Sequence, residues 1–417
     1  VASASLGSGK AWFRAKEFEQ ALSRFRTVPK DSTAASQAIL WTAMSLRELG
    51  RTEESRAEFN EALRIAGDSP LAQDILYQQA QMERTGTDRE LAAKMFEDIA
   101  DRWPQSERTA ECLFNAAELR LEMNDGDRAE RLFRRLKKEF PDAAEKPREQ
   151  ILLGRLYLGR GDIERATETL QRVTAGMTDP ADRTAAVGRY YLVRALFDGQ
   201  KHEQVVEQVS LMIEALKSDE LAELRSALAL AAISSLELKQ YEDVLKFADE
   251  FLPLAKDANK RADIVGTRAV ALSHLNRFPE AIESLKELTA TDAAQPQTWT
   301  AVLQSAETAL EMNVPDAALA LFTMASSAPD NPKSREAGLS GIAWSQFKAQ
   351  QYPEAENSFT AIAKEFPDSS KAAEAIFMQA RCVEEQGDAE RILVAWKNVF
   401  DRLAIDSDPV PPGGEAK

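Results

Sequence analysis

With only two histidines and two cysteines in 417 residues, the chain lacks the raw material for several kinds of chemistry. His202 and His274 lie in different segments, each beside an expected hairpin turn, so no histidine-based metal cluster or catalytic triad can be assembled. Cys112 and Cys382 are also far apart in sequence. A disulfide between them would require the ends of the array to meet, so two small buried thiols are expected. So little cysteine suits the cytosol and a bacterial envelope equally. No apolar run approaches the ~20 residues of a membrane span, and the longest, near Ala227–Ile233, is far shorter. No signal-peptide pattern is visible either, although the sequence starts at Val1 and enters a repeat almost at once, as it would if a leader had been removed.

Positive charge is in deficit: 52 Lys and Arg stand against 68 Asp and Glu, for a net charge of −16 and a pI near 4.9. That balance argues against a general nucleic-acid binder, because phosphate binding needs a positive surface. Leu6-Gly-Ser-Gly-Lys has neither the length nor the strand context of a phosphate loop. Carboxylates are plentiful, but acids scattered over helix surfaces form pairs by chance. No catalytic constellation can be named, no cofactor or metal is implied, and no enzyme activity is expected.

What the chain does have is alanine, regular apolar spacing and a repeated turn. Glu149–Val173 reads as two short amphipathic helices. Ile151, Leu152, Leu156 and Tyr157 line one face of the first, around Gly154. Gly161-Asp162 interrupts the pattern, since glycine accepts unusual backbone angles and Asp can cap the next helix. Ile163, Ala166, Leu170 and Val173 then resume it. Small Gly154 and Ala166 are expected where the two helices cross most closely. One such pair leaves too much apolar surface uncovered to be stable alone, so it needs neighbours.

The neighbours follow from a small residue with a bulky apolar one four positions later. Ala21/Phe25, Ser55/Phe59, Ala92/Phe96, Ala129/Phe133, Ala166/Leu170, Val205/Val209, Val244/Ala248, Ala281/Leu285, Ala317/Leu321, Ala355/Phe359 and Ile392/Trp396 fit. Their spacing of roughly 34–39 residues is that of stacked helical hairpins. Gly50 and Gly86 mark turns, and Ala11–Val28 reads as half a first helix followed by a complete second one. Thr178-Asp-Pro-Ala-Asp starts a helix, with Asp179 as its expected cap and Pro180 in its first turn. Phe278-Pro-Glu-Ala, Val314-Pro-Asp-Ala and Tyr352-Pro-Glu-Ala start second helices with proline in the first turn and an acid near the positive end of the dipole. The signature weakens between residues 189 and 254, which reads as a divergent middle of a solenoid running over residues 1–405. Residues 406–417, rich in Pro and Gly, read as a disordered tail.

Gly154, Tyr157, Gly161, Ala166 and Leu170, with prolines in Trp103-Pro104, Phe140-Pro141 and Phe366-Pro367, resemble the tetratricopeptide repeat family. The resemblance implies an all-α, right-handed superhelical solenoid of about 11 antiparallel helix pairs. It also implies a protein or peptide partner held in a concave groove, without naming that partner. Carried onto this sequence, the groove would include Tyr77, Arg84, Phe114, Arg155, Leu158, Tyr190, Arg194, Phe197, Trp344, Phe347 and Arg381. Arg155 and Arg194 hold equivalent places, which suits a carboxylate cradle between Tyr190 and Phe197; alternatively, Arg155 pairs with Glu118 and the aromatics pack between repeats. Of the carboxylate clamp of chaperone-binding members, only Asn115 is matched. The linkers Trp103-Pro-Gln-Ser, Phe140-Pro-Asp-Ala and Phe366-Pro-Asp-Ser are similar to those of bacterial envelope members, the Tol–Pal coordinator and the barrel-assembly lipoprotein. They point to a periplasmic or envelope scaffold, the alternative being a cytoplasmic adaptor cut from a larger protein. Arg128, Arg131, Arg134, Arg135, Lys137 and Lys138 crowd one second helix, either as a solvated outer face or as a docking patch for an acidic partner.

Overall fold

A computed structural model describes residues 2–403 except 68, 87, 178, 180, 181, 216–221, 291–295 and 330. Residues 406–417, Pro180 and the proposed tail therefore lie outside the described residues. The described chain is an all-α solenoid of consecutive hairpins, with no strand among the described residues. The hairpins are α1 (Ala2–Arg14) with α2 (Phe18–Arg26), α3 (Ala35–Glu48) with α4 (Thr52–Ala66), and α5 (Pro70–Thr85) with α6 (Arg89–Arg102). There follow α7 (Thr109–Glu122) with α8 (Gly126–Glu139), a short helix α9 (Pro141–Ala144), and α10 (Pro147–Gly159) with α11 (Ile163–Ala175). Next come α12 (Arg183–Asp198), α13 (His202–Ala215), α14 (Ala222–Glu237) with α15 (Tyr241–Phe251), and α16 (Ala258–His274) with α17 (Phe278–Thr289). The last are α18 (Pro296–Glu311) with α19 (Pro315–Ser326), α20 (Pro332–Lys348) with α21 (Tyr352–Glu365), and α22 (Ser370–Gln386) with α23 (Ala389–Leu403). The chain forms two compact units, Val1–Ala195 and Leu196–Lys417, whose boundary falls inside α12.

One construction recurs in every hairpin. The small residue of the second helix is preceded, twelve positions earlier, by a second small or branched residue on the first. Gly9, Ala43, Ala80, Ala117, Gly154, Val193, Ala232, Ala269, Ala306, Ala343 and Ala380 fill that place, all of them buried. At this crossing the Ser55 hydroxyl donates to the Ala43 carbonyl at 2.7 Å, which is possible only because both side chains are short. The bulky residue four positions on enters the core: Phe25, Phe59, Phe96, Phe133 and Leu170 in the N-terminal unit are at most 3% exposed. Each such burial is worth roughly 1.5–3 kcal/mol before chain entropy is subtracted.

The turn is equally regular. Five residues before the small residue the backbone turns left-handed, at Lys16, Gly50, Asn124, Gly161, Gln200, Lys239, Asn276, Asn313, Gln350 and Gly387. The following N–H reaches back to the last turn of the first helix, as in Asp125 to Arg120 (2.8 Å) and Asp162 to Tyr157 (3.0 Å). This satisfies carbonyls that the helix end would otherwise leave unpaired. Asp88, Asp125 and Asp162 then cap the second helices by accepting from the N–H groups of Leu91, Arg128 and Arg165.

Four expectations are corrected. Asn313 is left-handed and the Ala318 N–H bonds the Val314 carbonyl, so the anchors of α19 are Ala318 and Phe322 rather than Ala317 and Leu321. With that change the small residues from Val244 to Ile392 lie 37 apart throughout. The first hairpin has a full first helix, because Gly7 and Gly9 sit inside α1; Gly9 leaves space for the Phe25 ring. The cap of α12 is Asp182, which accepts from the Thr184 N–H at 2.8 Å, and not Asp179. Pro141 does not simply close a repeat: it opens α9, whose Ala144 is completely buried.

Candidate functional site

In the N-terminal unit the first helices α5, α7, α10 and α12 are joined by a ladder of polar contacts. The Tyr77 hydroxyl donates to Glu111 at 2.5 Å and accepts from the Gln81 amide at 2.8 Å. Burial, then the bond to Glu111, pushes the Tyr77 phenol up to about 12. Arg84 donates to Asn115 (2.8 Å) and to Glu118 (2.5 Å). Glu118 accepts in turn from Arg155 at 3.4 Å, and the Arg155 guanidinium lies 4.8 Å from the centre of the Tyr191 ring. Tyr191 is raised chiefly by burial, with Arg155 opposing the shift. Both oxygens of Glu118 are thus engaged by arginines from the helices on either side.

Beside this ladder opens a cleft of about 490 Å³, walled by Glu107, Glu111 and Phe114 of α7 and its approach, by Lys146, Arg148 and Glu149 before and within α10, and by Asp182 and Thr184 at the start of α12. Phe114 is buried and the Arg148 guanidinium stacks over its ring at 4.6 Å. Burial raises the Glu149 carboxyl above its usual range, opposed in part by Arg148 and Lys146. The cleft therefore offers an aromatic wall and carboxylates with few fixed partners, a combination that accepts an extended chain carrying a cationic or amide group. In the C-terminal unit a second, more apolar cleft of about 310 Å³ lies along α14, α16 and α18, between Ile233, Leu236, Gly266, Val270 and Ala301.

The residues expected in a groove are distributed as follows. Tyr77, Arg84 and Arg155 belong to the ladder, and Phe114 to the wall of the cleft. Leu158 is half-buried, and Tyr190 is half-buried with its ring centre 5.1 Å from that of Tyr191. Arg194 is exposed. Phe197 packs edge-on against His202 at 5.9 Å. Trp344 meets Phe347 and Phe359 edge-on at 6.0 and 5.8 Å, and Phe347 meets Tyr352, so both pack within the C-terminal unit. Arg381 pairs with Glu384 and Glu385 of its own helix. Asn115 is buried and accepts from Arg84, so its oxygen is already occupied. Glu111, Arg148, Glu149 and Tyr191 were not expected. Arg148 stands 37 residues after Glu111, so the repeat period itself was the signal that could have found it.

Among the described residues no group of three or more His, Cys, Asp or Glu side chains could hold a metal ion, and no helix is long and apolar enough to cross a membrane. Sequence models of the tetratricopeptide repeat match residues 6–70, 111–143 and 341–396. These segments carry tetratricopeptide repeats. Proteins with such repeats are generally non-catalytic scaffolds that bind other proteins, and the repeats suggest a protein-interaction scaffold here. No curated protein matches it. Among solved structures, a tetratricopeptide repeat protein from Parabacteroides merdae is 11% identical, with 65% of this chain and 98% of that one covered and a TM-score of 0.40. The assembly chaperone of RpL4, Acl4 (residues 1–338), is 18% identical, over 59% of this chain and 99% of that one, with a TM-score of 0.43. A chain in the structure of Naa15/Naa10 bound to HypK-THB is 15% identical at a TM-score of 0.34. The present chain aligns over 97% of its own length and spans 64% of that chain.

Proposed function

We propose that this tetratricopeptide scaffold is non-catalytic and works in a bacterial cell envelope, holding an extended segment of a partner protein against the first helices of its N-terminal unit. The observation that carries the groove reading is the cleft between α7, α10 and α12, with Arg148 stacked on the Phe114 wall. The ladder beside it supports the same reading. Arg84 and Arg155 are both engaged by Glu118, so these side chains are already held in place and the outer groups Glu107, Arg148 and Arg194 remain for a partner. The envelope setting rests on the aromatic-proline linkers at Trp103, Phe140 and Phe366.

The test is a pull-down from source-organism lysate separated into cytosol and envelope, comparing wild type with Arg148→Glu/Arg194→Glu. Capture of one envelope protein by wild type and its loss in the double variant is the expected result. Equal capture by both proteins would remove the groove, and capture from the cytosolic fraction alone would replace the envelope scaffold with a cytoplasmic adaptor.

A further inference from the structure

The basic stripe of α8 is not simply a solvated helix face. Two of its cations are consumed internally: Arg128 pairs with Glu97 at 2.6 Å, and Arg135 with Asp101 (2.5 Å) and Glu139 (3.1 Å). Of the others, Arg134 and Lys137 border a pocket of about 150 Å³ between α8 and α10, on the scale of one large apolar side chain. Its floor is Phe133, Leu153, Leu156 and Tyr157; its rim is Arg134, Lys137, Arg160 and Glu130. On each helix the lining residues recur at i, i+3, i+4 and i+7, so the pocket lies where two helical faces meet. Tyr157 is two positions beyond Arg155, about 200° round α10, which puts this pocket on the side of the helix away from the polar ladder.

The rim carries three cations against one acid. Glu130 is held by both Arg134 and Arg160. Lys137 is exposed and makes no ion pair among the described residues, and the same holds for Arg131 and Lys138 farther round the helix. On a chain with a net charge of −16, an acidic partner is repelled over most of the surface and favoured here. At physiological salt such attractions act over about 8 Å, so the stripe and not the whole-chain charge governs docking at this spot.

We propose that the pocket between α8 and α10 is a second docking site, which takes an acidic peptide segment of a partner protein with one large apolar side chain in the pocket and flanking carboxylates on Arg134, Lys137 and Arg160. The site is independent of the groove on the first helices.

The test uses the full chain and a fluorescein-labelled dodecapeptide bearing one phenylalanine among glutamates and aspartates, read by fluorescence anisotropy. Two control peptides replace the phenylalanine with serine or the acids with lysine. Wild type is expected to bind the acidic phenylalanine peptide, more weakly as salt is raised, and to discriminate against both controls. Lys137→Glu should weaken binding by about tenfold, Lys137→Arg should retain it, and Lys364→Glu, the same charge change on an exposed lysine of the C-terminal unit, should leave it unchanged. Circular dichroism melting would establish that Lys137→Glu remains folded. No binding of the acidic peptide, equal binding of the serine control, or indifference to Lys137→Glu would overturn the proposal. Lys137-dependent sedimentation with phosphatidylglycerol vesicles in the absence of peptide binding would overturn it in favour of a lipid surface.

Discussion

Leu170 occupies the space that a side chain on Gly154 would need. A Cβ on Gly154 would fall 2.5 Å from Leu170 Cγ and 2.7 Å from Cδ2, well inside van der Waals contact. The same relationship holds in the first hairpin, where a Cβ on Gly9 would meet the Phe25 ring at 2.3 Å. Glycine weakens a helix interior, so its presence twice at this place has a packing cause: it lets a bulky anchor pass close to the first helix.

Gly154→Leu should therefore destabilise the N-terminal unit by ~1–3 kcal/mol through overpacking, measured by urea titration. Gly154→Ala is the sharper case, because alanine would otherwise gain up to ~1 kcal/mol in helix propensity. It should still lose stability, whereas Gly7→Ala, which meets nothing within 4 Å, should gain it. A stabilised Gly154→Ala protein would disprove the crossing described here.

Glu83 is 1% exposed and its carboxylate takes both oxygens' worth of bonding from Arg56, at 2.8 and 3.0 Å. The equivalent place nine residues before the small residue is Leu46, Leu196 or Leu272 in other repeats, all buried. Arg56→Ala should cost ~3 kcal/mol by leaving a buried charge without its partner, while Arg56→Met/Glu83→Leu should be close to wild type. A double-mutant cycle on thermal unfolding measures the difference; a double variant as unstable as Arg56→Ala would count against the pair being replaceable.

Both thiols are free and buried. Burial, with Glu111 adding to it, pushes the Cys112 thiol up to about 12, and burial with Glu356 pushes Cys382 up to about 11. Neither should react with a thiol-exchange reagent at neutral pH until its surroundings open. Because Cys112 belongs to the N-terminal unit and Cys382 to the C-terminal one, labelling of each cysteine followed by mass spectrometry in rising denaturant would report the two units separately. Prompt labelling of either in native buffer would contradict its placement.

His274 stacks on Tyr241 with ring centres 4.4 Å apart and planes 11° from parallel. Burial lowers its pKa below the ordinary value of 6.5, with Lys239 acting the same way and Glu311 opposing. The unfolded chain thus takes up this proton first as pH falls. The contribution of His274 to stability is full above the unfolded value and declines as pH drops through 6.5 towards the lower folded value. His274→Phe should keep the stack and flatten that decline in a series of melts between pH 8 and pH 5. An unchanged slope would remove His274 as its source.

The hairpin array was legible because its signals are local. The small residue, the bulky one four later and the glycine or capping acid before them all act within one turn of helix. The register of α19 was not legible, because Ala317-Ala318 and Leu321-Phe322 offer two equally good anchors, and only the left-handed Asn313 and the backbone bond from Ala318 separate them. Which of the expected site residues come together was partly legible. Tyr77, Arg84 and Arg155 do share one polar ladder, but Tyr191 and not its neighbour Tyr190 carries the Arg155 stack. One position along a helix is a rotation of 100°, and spacing alone does not resolve it when adjacent residues are alike.

The sequence by itself determined an all-α repeat and its period, since backbone turns and helix faces are set by residues within a few positions of each other. Tertiary structure alone decided where charge is buried. Arg120 is 2% exposed because Glu90 and Glu97 reach it from the preceding helix, 30 and 23 residues earlier. It likewise decided that Arg128 and Arg135 are spent on internal partners while Lys137 is left to solvent. An ion pair between stacked helices depends on distances that packing creates, and in a surface of alternating Arg and Glu many pairings satisfy the sequence equally well.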